Sequence, residues 1–292
     1  MEQQEWLAQR FEEQRPHLRA VAYRMLGSLS EADDAVQDAW LRLSRRDRSD
    51  VENLGSWLTT VVARVALNML RARRTRREEP LDVRLPDPII DPAAGTDPAH
   101  EALLADSIGL AMLVVLETLT PPERLAFVLH DMFAVPFEEV GEILERSPEA
   151  ARQLASRARR RVRGAGTVAD AALPAQWEAV EAFIAAARDG DFDALVAVLD
   201  PDVVLRADGG PGGHSREVRG AQTVASQALM FRQDGLTLRR ALINGAAGIV
   251  SLRDGKPFSI GAFAVRGGKI VEVDFLTDPA RLAELDLSVL GD

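Results

Sequence analysis

The 292-residue chain contains no cysteine and only four histidines. Without cysteine it has no disulfides, no thiolate metal site and no cysteine nucleophile, and so few histidines argue against a His-rich metal site. No run approaches the roughly 18 uninterrupted apolar residues that span a bilayer. The polar, acidic start, Met1-Glu2-Gln3-Gln4-Glu5, is wrong for a secretion signal. We therefore expect a cytoplasmic protein with no membrane partner, no metal and no cofactor.

The composition is that of a globular protein, with 47% hydrophobic and 27% charged residues. At this length the chain can hold two or three small domains, each with its own core. The net charge of −10 argues against a nucleic-acid partner. The basic residues are segregated along the chain, however, and the local field matters more than the sum.

Arginine is concentrated in two blocks. Residues 64–77 contain six arginines and no acid, and residues 146–163 contain seven arginines and one acid, Glu149. Arginine suits phosphate and base-edge contacts because its planar fork binds bidentately. The first block can hold a DNA backbone electrostatically, and the alternative is a solvated charge run.

The pattern divides the chain into five segments. Residues 1–77 and 101–164 are predicted to be helical domains, and residues 174–292 form a third domain. Residues 78–100 are an acidic, proline-rich linker, and residues 165–173 are a second linker. The prolines of the first linker forbid a continuous helix, and its charge disfavours collapse.

In the first domain, Ser30 with an acid three positions later predicts a helix start. Apolar residues at helical spacing continue this helix to Leu43. A polar loop over residues 45–53 then precedes a long helix that ends in the first arginine block. The earlier helix carries a polar face of Asp33, Asp34, Gln37 and Asp38. With no histidine nearby, a protein-binding face is favoured over a metal or acid–base site.

In the second domain, Thr120-Pro121-Pro122-Glu123 predicts a helix start. Pro136 opens a short helix, and Ser147-Pro148-Glu149 starts another, which together predict a helix-turn-helix. In the last helix, an apolar face recurs every four residues at Leu154, Ala158 and Val162.

The outward residues of that last helix fall into two groups. Those near its start are assigned to bases or nearby phosphates: Arg152, Gln153 and Ser156. Those further along are assigned to phosphates: Arg157, Arg159, Arg160 and Arg163. The alternative is a solvated basic helix end, since cations favour a helix C-terminus.

The third domain changes character from helix to strand. Apolar spacing predicts one helix around Trp177 and a second that starts near Asp191. The strands that follow are predicted over Val203–Leu205, Leu236–Asn244, Ala247–Leu252, Phe258–Val265 and Lys269–Leu276. Helices followed by a curved antiparallel sheet are an α+β pattern.

Two motif sets resemble extracytoplasmic function (ECF) sigma factors. The stretch from Ser30 to Leu43 resembles region two, and Ser56 to Arg64 with Asn68 to Arg71 resembles the −10 element-binding segment that follows it. Leu119 to Arg124, Phe137 to Leu144 and Ser147 to Arg159 resemble region four. Two sets in the correct order, joined by a linker, are more specific than either alone, and they cover about half the chain.

The resemblance implies a non-enzymatic promoter-specificity factor with two all-α sigma domains, a region 2 helical bundle and a region 4 helix-turn-helix. Its partners would be bacterial core RNA polymerase, through the β′ clamp helices and the β flap, and promoter DNA. The clamp helices would bind Asp33, Asp34, Gln37, Asp38 and Trp40. The −10 element would bind Asn53, Trp57, Arg64, Asn68, Arg71, Arg73 and Arg74, with aromatic stacking to capture an unpaired base. The −35 element would bind Arg152, Gln153, Ser156, Arg157, Arg159 and Arg160.

Residues 174–292 resemble the SnoaL-like, NTF2-like fold, a cone-shaped α+β barrel that a subgroup of these sigma factors carries. The Trp-Leu-Pro-Glu-Pro linker of the subgroup is represented here by Leu173-Pro174. Its Asp-Gly-Gly segment is represented by Asp208, Gly209 and Gly210, and its late Asn-Pro-Asp-Lys-Leu segment by a stretch with Asp278 and Pro279. The resemblance implies that this regulatory loop makes an intramolecular contact through which the domain modulates sigma activity in cis.

Two other functions stay open. One is a ligand-responsive repressor or activator whose C-terminal domain binds a small molecule or acts as a cyclase, with Asp208, His214 and Asp274 as acid–base candidates. A plain repressor has no use for a region 2 motif, which favours the sigma factor. The other possibility is that the extension only stabilises the remaining domains.

Overall fold

In the computed structural model of the chain, the described residues are 2–45, 53–76, 83–93, 109–165, 172–211, 213–230, 235–285 and 287–290. They form two compact units. The first contains residues 2–45, 53–76 and 115–164, and the second contains residues 83–93, residues 109–114 and the chain from residue 172 onward. Within these ranges, no helix combines the length and the apolar character needed to cross a bilayer.

Among the described residues up to 165, the regular elements are helices apart from one short strand. The helices are α1 Glu2–Leu26, α2 Leu29–Leu43, α3 Leu54–Arg76, α4 Leu110–Glu117, α5 Pro121–Phe127, α6 Phe137–Leu144 and α7 Pro148–Ala165. Helices α1, α2 and α3 pack together through fully buried apolar side chains such as Leu18, Val36 and Leu58. The periodic apolar face that the sequence predicts for α2 lies in this core.

Helix α2 starts earlier than predicted. Its N-cap is Ser28, which has extended backbone angles, whereas Ser30 lies inside the helix. Gly27 takes a left-handed conformation, with φ of 70°, and its N–H closes the end of α1 on the carbonyl of Tyr23. Because the chain has already turned at Gly27, the next helix begins at once, and the prediction that Ser30 is the cap is wrong.

The predicted start of α5 is confirmed. The Glu123 carboxylate accepts hydrogen bonds from the backbone N–H and the hydroxyl of Thr120, at 3.1 and 2.6 Å. The helix then widens into a π-helical turn, Val128–Met132, which apolar spacing did not predict. Helices α6 and α7 begin where Pro136 and Ser147-Pro148 indicated.

The turn between α6 and α7 depends on a close backbone approach. A Cβ atom at Gly141 would lie 2.8 Å from the carbonyl oxygen of Arg146, so only glycine fits there. Glu145 ends α6 in the left-handed conformation, with φ of 56°. These two residues set the tight crossing of the helix-turn-helix.

The second unit is a curved sheet packed on helices. Its helices are α8 Leu173–Asp189, α9 Phe192–Val198, α10 Ala221–Met230 and α11 Pro279–Ala283, with a 3₁₀ turn at Ser288–Leu290. Its strands are β1 Ile90–Pro92, β2 Leu199–Asp208, β3 Arg216–Arg219, β4 Leu236–Ile243, β5 Ala246–Arg253, β6 Lys256–Arg266 and β7 Lys269–Leu276. The order is β1-β4-β5-β6-β7-β2-β3, antiparallel except for the parallel pair β2 and β7.

An apolar core lies between this sheet and its helices. Trp177 and Phe183 of α8 pack with Leu205, Phe263 and Val273 of the strands. The Phe183 and Phe263 rings meet edge to face, with centroids 5.6 Å apart. The predicted α+β architecture of this domain is confirmed, whereas β1, β3, α10 and α11 were not predicted.

The described part of the first linker packs on the second unit. Ile90 to Pro92 form β1, which pairs antiparallel with β4, and Leu85, Ile89 and Ile90 are buried. Proline is tolerated in an edge strand because its missing N–H faces away from the sheet. The expectation that charge prevents collapse is therefore wrong for residues 83–93, where apolar side chains between the prolines pack on the second unit.

Candidate functional site

The predicted polymerase-binding face of α2 is present but partly paired within the domain. Asp34 and Gln37 are exposed. Asp33 accepts a bidentate contact from Arg19 of α1, at 2.7 and 3.2 Å, and Asp38 pairs with Arg42 at 2.9 Å. Trp40 is half-buried, with its ring 5.1 Å from that of Phe11. The face therefore has two exposed polar side chains, Asp34 and Gln37. The two other acids are paired with arginines of the same domain.

The predicted −10 residues differ in their surroundings at the start of α3. The side chain of Asn53 accepts a hydrogen bond from Ser56 N–H at 3.2 Å, so it caps the helix. Trp57 is half-buried. Most of the predicted polar loop before it, residues 46–52, lies outside the described residues. Trp57 therefore lies in the first turn of the helix that Asn53 caps.

Further along α3, Arg73 has a structural partner. It donates to the carbonyl oxygen of Leu26, at 3.2 and 3.3 Å, and pairs with Glu31. It thereby satisfies the last carbonyl of α1. Asn68, Arg71 and Arg74 are exposed. Arg71 and Arg74 line an open groove of about 390 Å³ with Thr75, Pro121 and Pro122.

Part of the predicted −10 surface contacts the helix-turn-helix segment. Ser56 Oγ donates to the Glu139 carboxylate at 2.6 Å, and Arg64 donates to the carbonyl oxygen of Glu142 at 3.3 Å. Both acceptors belong to α6, within the same compact unit. Helix α6 therefore contacts α3 at Ser56 and Arg64. The Arg64 guanidinium donates one hydrogen bond within the protein.

A second contact joins α1 to the same segment. Arg24 and His17 both lie against the Phe133 ring, at 4.8 and 5.3 Å from its centre. Burial, together with the charge of Arg24, lowers the pKa of His17. This contact therefore favours the neutral imidazole.

The predicted division of α7 is confirmed. Leu154, Ala158 and Val162 are buried. Six of the predicted outward residues are exposed: Arg152, Gln153, Ser156, Arg157, Arg160 and Arg163. Arg159 differs from the prediction, because it is half-buried and its Nε lies 2.5 Å from the Asp131 carboxylate. Arg159 is thus the one predicted outward arginine of α7 that is half-buried and paired with an acid.

Asp208 and Arg281 of the predicted loop segments bind residues of the first linker. Asp208, which is 2% exposed, accepts the Leu85 N–H at 2.8 Å and the Arg281 guanidinium at 2.6 Å through one oxygen. Its other oxygen accepts the Gly210 N–H at 3.0 Å. Arg281 also donates to Leu85 O and to the Asp87 carboxylate, at 2.9 and 2.7 Å. One buried carboxylate and one arginine therefore bind both the backbone and a side chain of the linker.

The other predicted loop residues surround this carboxylate. Asp278 caps α11 by accepting the Ala280 N–H at 2.9 Å, and Pro279 is the first residue of that helix. A Cβ at Gly210 would collide with the Asp278 carboxylate, so glycine allows the two segments to meet. Gly209 N–H donates to the Ser215 hydroxyl at 3.2 Å. The structure thus brings the two predicted loop segments together.

The assignment of the linker pattern to Leu173-Pro174 is wrong. Those residues are exposed and begin α8. A second Leu-Pro pair, within Leu85-Pro86-Asp87-Pro88, lies in the first linker and contacts Asp208 and Arg281. It matches four of the five positions of the Trp-Leu-Pro-Glu-Pro pattern when aspartate is allowed for glutamate, and that similarity was a usable signal.

The acid–base candidates of the cyclase alternative do not meet in the cone. His214 is exposed, and Asp274 lies on the face of β7 opposite Val273, which packs in the core. Asp274 pairs with Arg206 at 3.3 Å, beside Glu272 and Glu217. Burial raises the pKa of Asp274 to about 6, although Arg206 opposes the shift. This cluster lies outside the apolar interior where a cyclase would hold its substrate.

Comparisons with known proteins agree with this architecture. Residues 10–76 match the family Sigma-70 region 2, and residues 110–162 match Sigma-70, region 4. The chain is 39% identical over 284 residues to the ECF RNA polymerase sigma factor SigJ of Mycobacterium tuberculosis, covering 92% of this chain and 91% of the relative. It is 33% identical to the probable ECF sigma factor SigI of the same species, covering 95% of each. The crystal structure of SigJ superimposes with a TM-score of 0.75 and 37% identity, over 94% of this chain and 98% of that one.

A helical bundle, a helix-turn-helix with a basic second helix and a fused α+β cone define a multidomain transcription initiation protein. The chain belongs to the ECF sigma factors, which the SigJ and SigI relatives show over nearly its whole length. It is an alternative sigma factor that binds core RNA polymerase and directs transcription from specific promoters.

Proposed function

We propose that the C-terminal domain modulates this sigma factor in cis by holding the linker between region 2 and region 4. The observation that carries the proposal is the pair of bonds from Leu85 N–H and Arg281 to the buried carboxylate of Asp208. The linker is further anchored where Asn244 accepts the Ile89 N–H at 3.1 Å. Pairing of β1 with β4 completes the attachment.

The physical consequence concerns the freedom of the two sigma regions. A free linker allows region 2 and region 4 to adopt many separations, whereas a bound linker fixes the path of residues 83–93. Binding of the −10 and −35 elements selects one separation. A domain that holds the linker therefore changes the free energy of reaching that separation, and this is how we expect it to modulate activity.

We further propose the division of contacts with polymerase and promoter. Exposed Asp34 and Gln37, with Asp33, Asp38 and Trp40, face the β′ clamp helices. Trp57, Arg64, Asn68, Arg71 and Arg74 engage the −10 element, supported by the structural residues Asn53 and Arg73. The exposed residues of α7 engage the −35 element, and region 4 touches the β flap. Because Ser56 and Arg64 donate hydrogen bonds to α6, we expect the −10 contact to require that these bonds break.

The place of action that we propose is the cytoplasm, where core polymerase and promoter DNA are found. We assign no catalytic residue and no cofactor to the chain. The regulator alternative would bind duplex promoter DNA without polymerase, whereas a sigma factor needs the core enzyme for specific initiation.

Run-off transcription with purified bacterial core polymerase tests the proposal, on the promoter upstream of the protein's own gene. The proteins compared are the full chain, a version that ends after Arg163, and the full-length variants Asp208→Asn and Arg281→Gln. Asp254→Asn serves as the matched control, since Asp254 is an exposed turn residue of the same domain and asparagine accepts its positive φ.

We expect both linker-site variants to change transcript yield in the same direction as truncation, and the control to match the full chain. Equal yields from the full chain, the truncated form and the linker-site variants would show that the extension only stabilises the other domains. Promoter binding that is equally specific without core enzyme, and no transcript from any form, would support the repressor alternative.

A further inference from the structure

Three side chains of the helix-turn-helix segment form a stack that ends at the recognition helix. The His130 ring lies on Phe137 with centroids 3.7 Å apart and planes inclined by 24°. The guanidinium of Arg152 lies over the Phe137 ring, 5.0 Å from its centroid. Phe137 is buried and Arg152 is exposed. An exposed cation near the start of α7 thus rests on a ring fixed in the core of the domain.

The backbone of the turn fixes His130. Its Nδ1 lies 2.9 Å from the carbonyl oxygen of Val135, and because a carbonyl only accepts, Nδ1 carries the proton. The Val135 N–H donates in turn to Leu129 O at 2.9 Å. Both His130 and Leu129 belong to the π-helical turn, a distortion that is frequent at functional sites. The stack is therefore held by main-chain bonds.

Two arginines of α7 that lie near the π-helical turn have different partners. Asp131, the residue after His130, pairs with Arg159 at 2.5 Å and neutralises it. Arg152 instead meets a ring face, which occupies the plane of the guanidinium and leaves the N–H donors at its edge for other partners. Of these two arginines, Arg159 is in a close ion pair, whereas Arg152 has only Glu149 as an electrostatic neighbour on its own helix and its donor fork can reach DNA.

We propose that Phe137, fixed by His130, is a positioning residue that presents Arg152 for bidentate recognition of a guanine in the −35 element. Arg152 is in the second turn of α7, near the end from which recognition helices reach base edges. Arginine bound to O6 and N7 is the commonest base-specific contact in the major groove. The inference rests on the proposed assignment of α7 to the −35 element.

Competitive run-off transcription tests this role with the full chain and core polymerase. The template is a pool of its own promoter in which every −35 position carries each of the four bases. The variants are Arg152→Ala, Arg152→Lys and Phe137→Leu. The control is Phe127→Leu, which removes a buried ring from α5 of the same segment.

We expect Arg152→Ala to lower the preference for guanine at one position roughly 5- to 100-fold, the usual worth of a bidentate base contact. Arg152→Lys keeps the charge but loses the fork, so it should lose most of that preference. Phe137→Leu should lower the preference at the same position about 2- to 5-fold, the size of an exposed cation–π contact. Phe127→Leu should leave the pattern of preferences unchanged.

Retention of the guanine preference in Phe137→Leu, with its loss in Arg152→Ala, would contradict the positioning role alone. A pool in which Arg152→Ala changes no position would instead contradict the assignment of α7 to the −35 element. A uniform loss at every position in Phe137→Leu would mean that the ring only stabilises the fold. Preferences are ratios among transcripts, so cis modulation of the total yield does not affect them.

Discussion

Arg124 of α5 donates a hydrogen bond from Nε to the carbonyl oxygen of Arg24, 3.1 Å away in the last turn of α1. The side chain is 2% exposed and also pairs with Glu117 at 2.7 Å. Because the last carbonyls of a helix lack partners within it, Arg124 caps α1 from another part of the chain. With Arg73 on Leu26, two arginines cap the same helix end.

Replacement of Arg124 should therefore cost stability in the first unit. We expect Arg124→Met to lower the free energy of unfolding by about 1–3 kcal/mol. This is the usual cost of removing a charged donor and leaving its buried acceptor without a hydrogen bond. Chemical denaturation of the full chain, followed by far-ultraviolet circular dichroism, measures this change. The matched control is Arg160→Met on exposed α7 surface, which should stay within about 0.5 kcal/mol. Equal effects of the two variants would contradict the capping role.

The close approach at Gly141 gives a second prediction. An alanine there would place its Cβ against the Arg146 carbonyl, so Gly141→Ala should destabilise the helix-turn-helix by about 1–3 kcal/mol through backbone displacement. Gly164 is the control, because it lies in α7 with no atom within 4 Å of a Cβ built there. Gly164→Ala should stabilise by about 0.5–1 kcal/mol. Thermal unfolding of both variants measures these changes in stability. An unchanged melting temperature of Gly141→Ala would show that the backbone of the turn adjusts to the added Cβ.

The buried cluster around Arg206 predicts a pH dependence. The folded pKa of Asp274, about 6, lies above its unfolded value, so folding takes up a proton between roughly pH 4 and 6. Asp274 therefore contributes least to the stability of the fold above pH 6, where its buried carboxylate is charged. Asp274→Asn removes that charge from a cluster in which Glu217, Glu272 and Asp274 all pair with Arg206, while Glu217 also pairs with Arg219.

We expect Asp274→Asn to be more stable than the parent at pH 8, on the order of 2 kcal/mol. The advantage should shrink as the pH falls through 6 toward 4, where the parent carboxyl is neutral as well. Melting temperatures of both proteins across this range provide the measurement. A difference that stays constant with pH, or a variant that is less stable at pH 8, would show that the Arg206 pairing outweighs the cost of burial.

The elements that the sequence predicts well are those with strong periodicity. The apolar face of α7 and the caps at Thr120 and Ser147 depend on local spacing and local hydrogen bonds, which one stretch of sequence contains. The start of α2 was misplaced because a left-handed Gly27 shifts the turn by two residues. The π-helical turn was missed because it changes the period within an otherwise regular apolar run.

Contacts between distant residues were beyond the reach of local spacing. Nothing in the sequence around Arg159 shows that Asp131 neutralises it, nor that Arg73 serves α1 instead of DNA. The first linker was predicted not to pack because charged residues and prolines dominate its composition. The few apolar residues between them nevertheless pack on the second unit. The Leu85 N–H meets Asp208 across 123 positions of sequence, which only the fold brings together.

The short strand β1 has a consequence for the fate of the protein once its linker is released. Ile90 to Pro92 cover the backbone of Ala241, Leu242 and Ile243, all of which are buried. Departure of the linker would bare an apolar sheet edge with unpaired N–H and C=O groups, a template for joining another chain. If the linker left this edge, we would expect the molecule to self-associate, so β1 also protects the edge of the sheet in the structure described here.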